Sequence, residues 1–328
     1  MTYVIAHRGF SHVAPENTVP AFEAAVELGA DGIECDVQLT RDARLVMHHN
    51  YYVDGTTSAH GRVCDLTLEE LRALDFGSHK GPEFAGTRIA TFDECLEACR
   101  PLKVVNVELK APRDREAPYV RMVVDAVRDH GMVGQVLVSA FDHELLREVK
   151  ELCPELRCGA LTFAPSLGAG SSSDGLMAAV RAIPPETRVS DVTLDDLPLE
   201  AIGARMGKVD VVARDASGVV AELLEALSAI YPTATVAEVG AAFAAQADLA
   251  AYAASLDFPL DFVHPDYRSL TADPSLVARL GELGLGVSPY TPDEPGLLRE
   301  LLAQGCWSII TNRPDLLIPL RDAAEGRP

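Results

Sequence analysis

A chain of 328 residues that is 48% hydrophobic has material for one large α/β barrel or two average domains. Its 28 basic and 49 acidic residues give a formal charge of −21, which argues against nucleic acid and anionic membrane surfaces, since both recruit basic patches. The acidic balance, an opening with no basic-then-apolar leader and the lack of any bilayer-length apolar run are those of a cytoplasmic protein with no stable membrane insertion. Seven cysteines without a C-x-x-C pair read as reduced thiols.

The first strand is Tyr3-Val4-Ile5-Ala6, an apolar run that delivers His7 and Arg8; short apolar runs bounded by turn signals read as buried strands. Thr18–Leu28 is a helix pattern, with Asn17 or Thr18 able to cap it and Gly29 to stop it. Gly32-Ile33, leading to Val37, is a second strand and carries Glu34 and Asp36. Leu45-Val46-Met47 is a third and ends in His48, His49 and Asn50. Strand–helix–strand spacing makes the first two strands parallel neighbours. Residues 51–90 read as a small insertion over the barrel mouth, with a short helix at Leu68–Leu74.

The alternation then resumes. A helix at Thr91–Ala98 leads to a strand at Lys103–Leu109, a helix at Ala117–His130, a strand at Gln135–Ser139, a helix at His143–Leu152 and a strand at Arg157–Thr162. Residues 164–258 are too many for one crossover and read as an inserted, largely helical segment. It opens on the flexible run Gly168–Ser173, has helical patterns at Val219–Ile230 and Val236–Leu256, and carries a strand-like Val209–Val212. Its alanine content would let helices pack closely in a homo-oligomer. Strands at Phe262-Val263, Leu285–Pro289 and Ser308–Thr311 alternate with helices at Pro274–Leu283, at Glu294–Ala303 and from Pro314. The pattern predicts an α/β fold, a (β/α)8 barrel formed as a single domain over 1–328.

In such a barrel, active sites sit where strands end on their carboxyl side. Side chains alternate along a strand, so Glu34 and Asp36 share one face and Cys35 takes the other. Two such carboxylates can converge on a hard cation, for which oxygen ligands suit Mg²⁺, Ca²⁺ or Mn²⁺ better than zinc. Glu108 and Lys110 repeat the alternation, one able to complete a three-carboxylate site and the other to neutralise a phosphoryl oxygen. Arg8 offers a planar fork suited to phosphate, or a salt bridge to a nearby acid. His7 and His49, at the ends of different strands, suit acid–base chemistry because imidazole titrates near neutral pH. His48 should then point away, as a structural residue. Tyr290 could cover a ligand's carbon skeleton or pack the rim, and Trp307 reads as a packing residue.

Taken together, His7-Arg8-Gly9, Pro15-Glu16-Asn17-Thr18, Gly29–Val37, Thr40-x-Asp42, His49 followed by Thr56-Thr57, Gly61-Arg62-Val63, Glu108-Leu109-Lys110 and the late Ile309–Asp315 resemble the glycerophosphodiester phosphodiesterase family. The resemblance implies a TIM barrel and hydrolysis of a small-molecule glycerophosphodiester to glycerol 3-phosphate and an alcohol. It further implies one divalent cation on Glu34, Asp36 and Glu108, acid–base work by His7 and His49, and phosphate binding by Arg8 and Lys110. Most members have His-Asp where His49-Asn50 stands, often an Arg at Gly55, Trp-Thr where Tyr290-Thr291 stands, and Thr-Asp where Thr311-Asn312 stands. The attacking group is either the neighbouring glycerol hydroxyl, through a cyclic phosphate, or water; an intramolecular hydroxyl has the effective-concentration advantage. Rival readings are a lysophospholipase D-like or cyclic-phosphate-forming phospholipase, which would need an apolar groove beside the site, and a barrel that only binds.

Overall fold

The computed structural model describes residues 1–163, 183–197, 199 and 216–326. The expected Gly168–Ser173 run and the strand-like Val209–Val212 lie outside them. Parallel strands β1 (Tyr3–His7), β2 (Gly32–Leu39), β4 (Val104–Leu109), β5 (Val136–Ala140), β6 (Arg157–Thr162), β7 (Phe262–Pro265), β8 (Gly286–Val287) and β9 (Ser308–Thr311) form the wall, in the order β8-β7-β6-β5-β4-β2-β1-β9. The two ends meet where Trp307 N–H donates to Val287 O (2.9 Å) and Ile310 N–H to Pro289 O (3.0 Å), closing the predicted (β/α)8 TIM barrel. The remaining strand, β3 (Leu45–Met47), pairs antiparallel with β2 as a hairpin extension.

The outward faces of the strands supply the larger core. Cys35, Val105, Val107 and Val138 pack against Phe22, Phe92, Val123 and Leu146 of the surrounding helices. The helix over Tyr119–Asp129 shows how this works: Val120, Val123, Val124 and Val127 fall at helical spacing and all are buried. At the amino end of the barrel Tyr3, Trp307 and Phe262 stack in series, with centroids 5.1 and 4.3 Å apart. Trp307 is thus a packing residue, and the acids and histidines of the cleft lie at the carboxyl end.

The first helix, Val19–Leu28, ends on Gly29 in the left-handed conformation, as expected. Its start differs from expectation. Neither Asn17 nor Thr18 caps it with a side chain; the Thr18 hydroxyl donates to Pro15 O (2.5 Å), and Asn17, at φ 56°, turns inward. Residues 51–90 wrap their own small cluster of Val46, Val53, Val63, Leu71, Phe76 and Ile89. In the second irregular region a helix runs over Ala216–Ile230. The pattern Val236–Leu256 is two helices, Val236–Ala245 and Leu249–Ser255. The break falls where the Gln246 side chain accepts Phe163 N–H (3.0 Å) and Asp248 caps the second helix. A short helix at Tyr267–Ala272, too brief for periodicity to reveal, follows β7. Among the described residues no helix is long and apolar enough to cross a membrane.

Candidate active site

Register across the wall brings the candidate side chains together. His7 of β1 lies beside Glu34 of β2, Glu34 beside Asn106 of β4, and Asp36 beside Glu108. All of these share the inward parity, while Cys35 turns outward to meet Cys95, Sγ to Sγ 3.7 Å. One carboxylate oxygen from each of Glu34, Asp36 and Glu108 lies within 4.8 Å of the others, and all three residues are buried. His7, Arg8, Glu34, His49, Glu108, Lys110 and Tyr290 line one cleft. Asp36, fully buried, lies behind this lining, against Arg8 and Lys110.

The turn after β1 needs glycine: Gly9 has φ 77°, and a Cβ there would stand 2.6 Å from the Ala21 carbonyl carbon. This turn aims Arg8 across the cluster. Its amide donates to Glu34 Oε2 (3.1 Å), its Nη1 pairs with Glu16 (2.8 Å), and its Nε lies 3.6 Å from Asp36. Lys110 Nζ pairs with Glu108 (2.6 Å) and lies 2.9 Å from Asp36 Oδ1. Asn17 holds Asp36 from both sides: its Nδ2 donates to Oδ2 (2.7 Å) and its Oδ1 accepts the Asp36 amide (3.1 Å).

The electrostatics follow from three carboxylates crowded out of water. Burial, with Asp36 and Glu108 nearby, pushes the Glu34 carboxyl well above the usual range. Burial pushes Glu108 up to about 7, with Lys110 working against the rise. Burial would also raise Asp36, but Lys110, His49 and Arg8 together hold it well below. Asp36 Oδ1, which accepts no hydrogen bond among the described residues, is an ion-pair partner of the Lys110 ammonium at 2.9 Å, so a divalent cation there would share this oxygen with Lys110. An all-oxygen, triply acidic donor set of this kind fits Mg²⁺, Ca²⁺ or Mn²⁺.

Each of the two site histidines is steered by an asparagine. His7 Nδ1 lies 2.7 Å from Asn312 Oδ1, which also accepts from Ser11 (3.0 Å); Asn312 Nδ2 donates to Asp293 (3.0 Å). With the amide oxygen facing His7, Nδ1 carries the proton and Nε2, 3.7 Å from Glu34, faces the cluster. His49 Nδ1 lies 2.9 Å from Asn50 Oδ1, which sets the same tautomer. Burial, then Arg8 and Lys110, hold His49 well below the usual imidazole range. His48 points away, bonded to Asn50 O (2.7 Å) and Thr56 Oγ1 (2.9 Å), as expected of a structural residue.

Several participants had no strong signal in the sequence. Asp293 and Asn312 come together only through the fold. The Glu222 carboxylate accepts both the Tyr51 (2.7 Å) and Tyr52 (3.0 Å) amides, tying the helix Ala216–Ile230 to the 51–90 region above the cleft. Phe141 and Phe163 stack at 4.4 Å, and Tyr290 meets Phe141 edge-on at 6.1 Å while its hydroxyl donates to Thr162 O (2.9 Å). Deeper in the barrel, His264 is buried with both ring nitrogens unpartnered among the described residues. Its ring fills the space that a side chain on Gly159 would need, with Nε2 only 2.5 Å from a Cβ there.

Acids, histidines and phosphate-suited cations gathered at the carboxyl end of a barrel stand where barrel enzymes place their active sites. The chain belongs to the glycerophosphoryl diester phosphodiesterase family, whose sequence model matches residues 7–182. It is 45% identical over 161 residues to a glycerophosphodiester phosphodiesterase of Caldanaerobacter subterraneus, a match covering 49% of this chain and 66%, a little under two thirds, of that protein. It is 38% identical over 165 residues to one of Bacillus altitudinis, covering 50% of this chain and 67% of that protein. Among solved structures, an Oleispira antarctica phosphodiesterase in complex with the product sn-glycerol-3-phosphate is similar in fold, with TM-score 0.65, 22% identity and coverage of 98% of this chain and 97% of that one. A glycerophosphodiester phosphodiesterase from Agrobacterium tumefaciens is similar at TM-score 0.60, with 21% identity and coverage of 97% and 100%.

Proposed function

We propose that this protein hydrolyses glycerophosphodiesters to glycerol 3-phosphate and an alcohol. The observation that carries the reading is the meeting, in one buried cluster, of three carboxylates, two cations and two oriented histidines. Glu34, Asp36 and Glu108 would hold one divalent cation. Bound there, that cation supplies Lewis-acid stabilisation of charge building on the non-bridging phosphate oxygens.

The protein's own groups do the rest. Arg8 and Lys110 orient the phosphodiester and share its charge. His49, kept neutral by its surroundings, is suited to take a proton from the attacking hydroxyl at Nε2. His7, doubly protonated with its Nδ1–H held by Asn312, would give its Nε2 proton to the departing oxygen and regain one from the water that opens the cyclic phosphate. One P–O bond forms as the other breaks, and the alcohol leaves protonated. The neighbouring glycerol hydroxyl is the favoured attacker, because it is already held beside the phosphorus; water then opens the cyclic phosphate. The described parts of 51–90 and 164–258 form the rim of the cleft, and Tyr290 lies against the carbon skeleton of the substrate.

The test is release of glycerol 3-phosphate from glycerophosphocholine and glycerophosphoethanolamine, with and without EDTA, then with Mg²⁺, Ca²⁺ or Mn²⁺ restored. Cation-dependent release is expected. Folded protein that releases none with any of the three ions would refute the proposal.

A further inference from the structure

The peptide that joins Asn50 to Tyr51 is gripped from both sides. Its carbonyl accepts from the Gln38 side chain of β2 (2.6 Å) and lies 2.7 Å from His48 Nδ1. Its N–H donates to Glu222 Oε2 (2.7 Å), and the next N–H along, that of Tyr52, donates to Oε1 (3.0 Å). Gln38 Nε2 also donates to His48 O (2.7 Å). Both side chains are buried, and their chemistry is opposite: an amide group donates to carbonyls of the segment 48–52, and a carboxylate accepts from its N–H groups. Gln38 belongs to the barrel wall, whereas Glu222 comes from the helix Ala216–Ile230.

From this peptide Asn50 reaches His49, its Oδ1 lying 2.9 Å from the ring Nδ1. A shift of the Asn50–Tyr51 plane therefore moves the group that sets the His49 tautomer. The helix carrying Glu222 is itself fixed at its other end, where Arg115 donates to Ala229 O and to Ile230 O (3.2 Å) and pairs with Asp142, the cap of the helix after β5. Between these anchors Leu223 and Ala226 line the cleft. Glu225, on the same helix, makes a different kind of contact. It pairs with the Arg62 guanidinium (3.0 Å) and accepts the Tyr52 hydroxyl (3.3 Å), so it grips side chains where Glu222 grips the backbone that follows His49.

We infer that Glu222 is a positioning residue for the reaction: by holding the two amides that follow Asn50, the helix Ala216–Ile230 fixes the orientation of His49 as well as covering the cleft. The inference rests on the phosphodiesterase reading above and adds to it a link between the rim and the acid–base group. Both carboxylate oxygens of Glu222 are in use. Glutamine, with one acceptor oxygen and an NH2 that only donates, would satisfy one of the two amides and oppose the other.

The experiment measures kcat and KM for glycerophosphocholine in the Mg²⁺-loaded wild type, in Glu222→Gln and in Glu225→Gln, the control on the same helix, with circular dichroism to check folding. Two-bond proton–nitrogen NMR of the histidine rings, with His49 assigned through His49→Gln, reports the tautomer without turnover. In Glu222→Gln kcat is expected to fall about tenfold, and the single His49 tautomer of the wild type to become a mixture. Glu225→Gln should keep the wild-type kcat and ring signals. A rise in KM with kcat unchanged, or an equal fall in kcat in Glu225→Gln, would reduce Glu222 to a fastener of the rim and overturn the inference. If the wild type itself cleaves no diester, the hydrolytic reading fails and the ring signals alone decide: altered in Glu222→Gln, they uphold the positioning of His49, and unaltered, they overturn it. Should Glu222→Gln not fold, Glu222→Asp, which keeps both acceptor oxygens on a shorter arm, is judged by the same kcat and ring signals.

Discussion

Replacing His264 by leucine should flatten the acid side of the stability profile. The imidazole lies inside the barrel, and burial pushes its pKa down to about 3, against about 6.5 for an unconstrained histidine. Between those values the unfolded chain binds a proton that the folded chain refuses, so the wild type loses stability as pH falls from about 6.5 towards 3. At about pH 4.5 the loss is two pH units below the unfolded value, or about 2.7 kcal/mol at roughly 1.36 kcal/mol per unit. Leucine removes the titration. It also removes two buried nitrogens that lack partners among the described residues, each costing about 1–3 kcal/mol to leave unpaired, so the variant should be no less stable than wild type near pH 7.5. Urea melts of both proteins at the two pH values give the difference directly. Groups common to both cancel, and parallel pH dependence in the two proteins would refute the reasoning.

Asn312→Ala should lower kcat by about ten- to a hundredfold with little change in KM, since His7 would lose the partner that fixes its tautomer; steady-state kinetics separate the two constants. Glu108→Gln should weaken Mg²⁺ binding at least about tenfold, read by titration calorimetry, because one of the three carboxyl groups that would meet the cation is replaced by an amide that cannot ionise. Glu222→Ala should cost about 1–3 kcal/mol in denaturant melts by leaving the Tyr51 and Tyr52 amides unpaired and should raise KM, because the rim it fastens lines the cleft.

Much of the site was legible because it lies on strands. A period of two places Glu34 and Asp36 on one face and Glu108 and Lys110 on another, and only the barrel is needed to make those faces converge. The asparagines were harder to see. Asn17 looks like a helix cap by position, yet its amide matches the donor and acceptor of Asp36 in both directions, and that pairing is tertiary. Asn50 and Asn312 carry no local signal of a partner, and only the fold shows each facing a histidine. Glu222 lies 171 residues from the Tyr51 amide it accepts, beyond the reach of any local pattern. The helix break after Ala245 escaped for the same reason: Gln246 spends its side chain on Phe163, not on the helix.

The alternation along β2 also guards its own alignment. Cys35 sits between two metal-suited acids, but its thiol meets Cys95 in the outer apolar shell, where burial pushes its pKa up to about 11. A slip of β2 by one residue against β1 and β4 would exchange the two faces. Two carboxylates would be driven into hydrocarbon, and a soft sulfur would replace hard oxygens in the cleft. The misaligned barrel would thus be penalised twice, once in folding and once in ion choice. The residues proposed to hold the ion are therefore also the ones that make the strand pair in a single way.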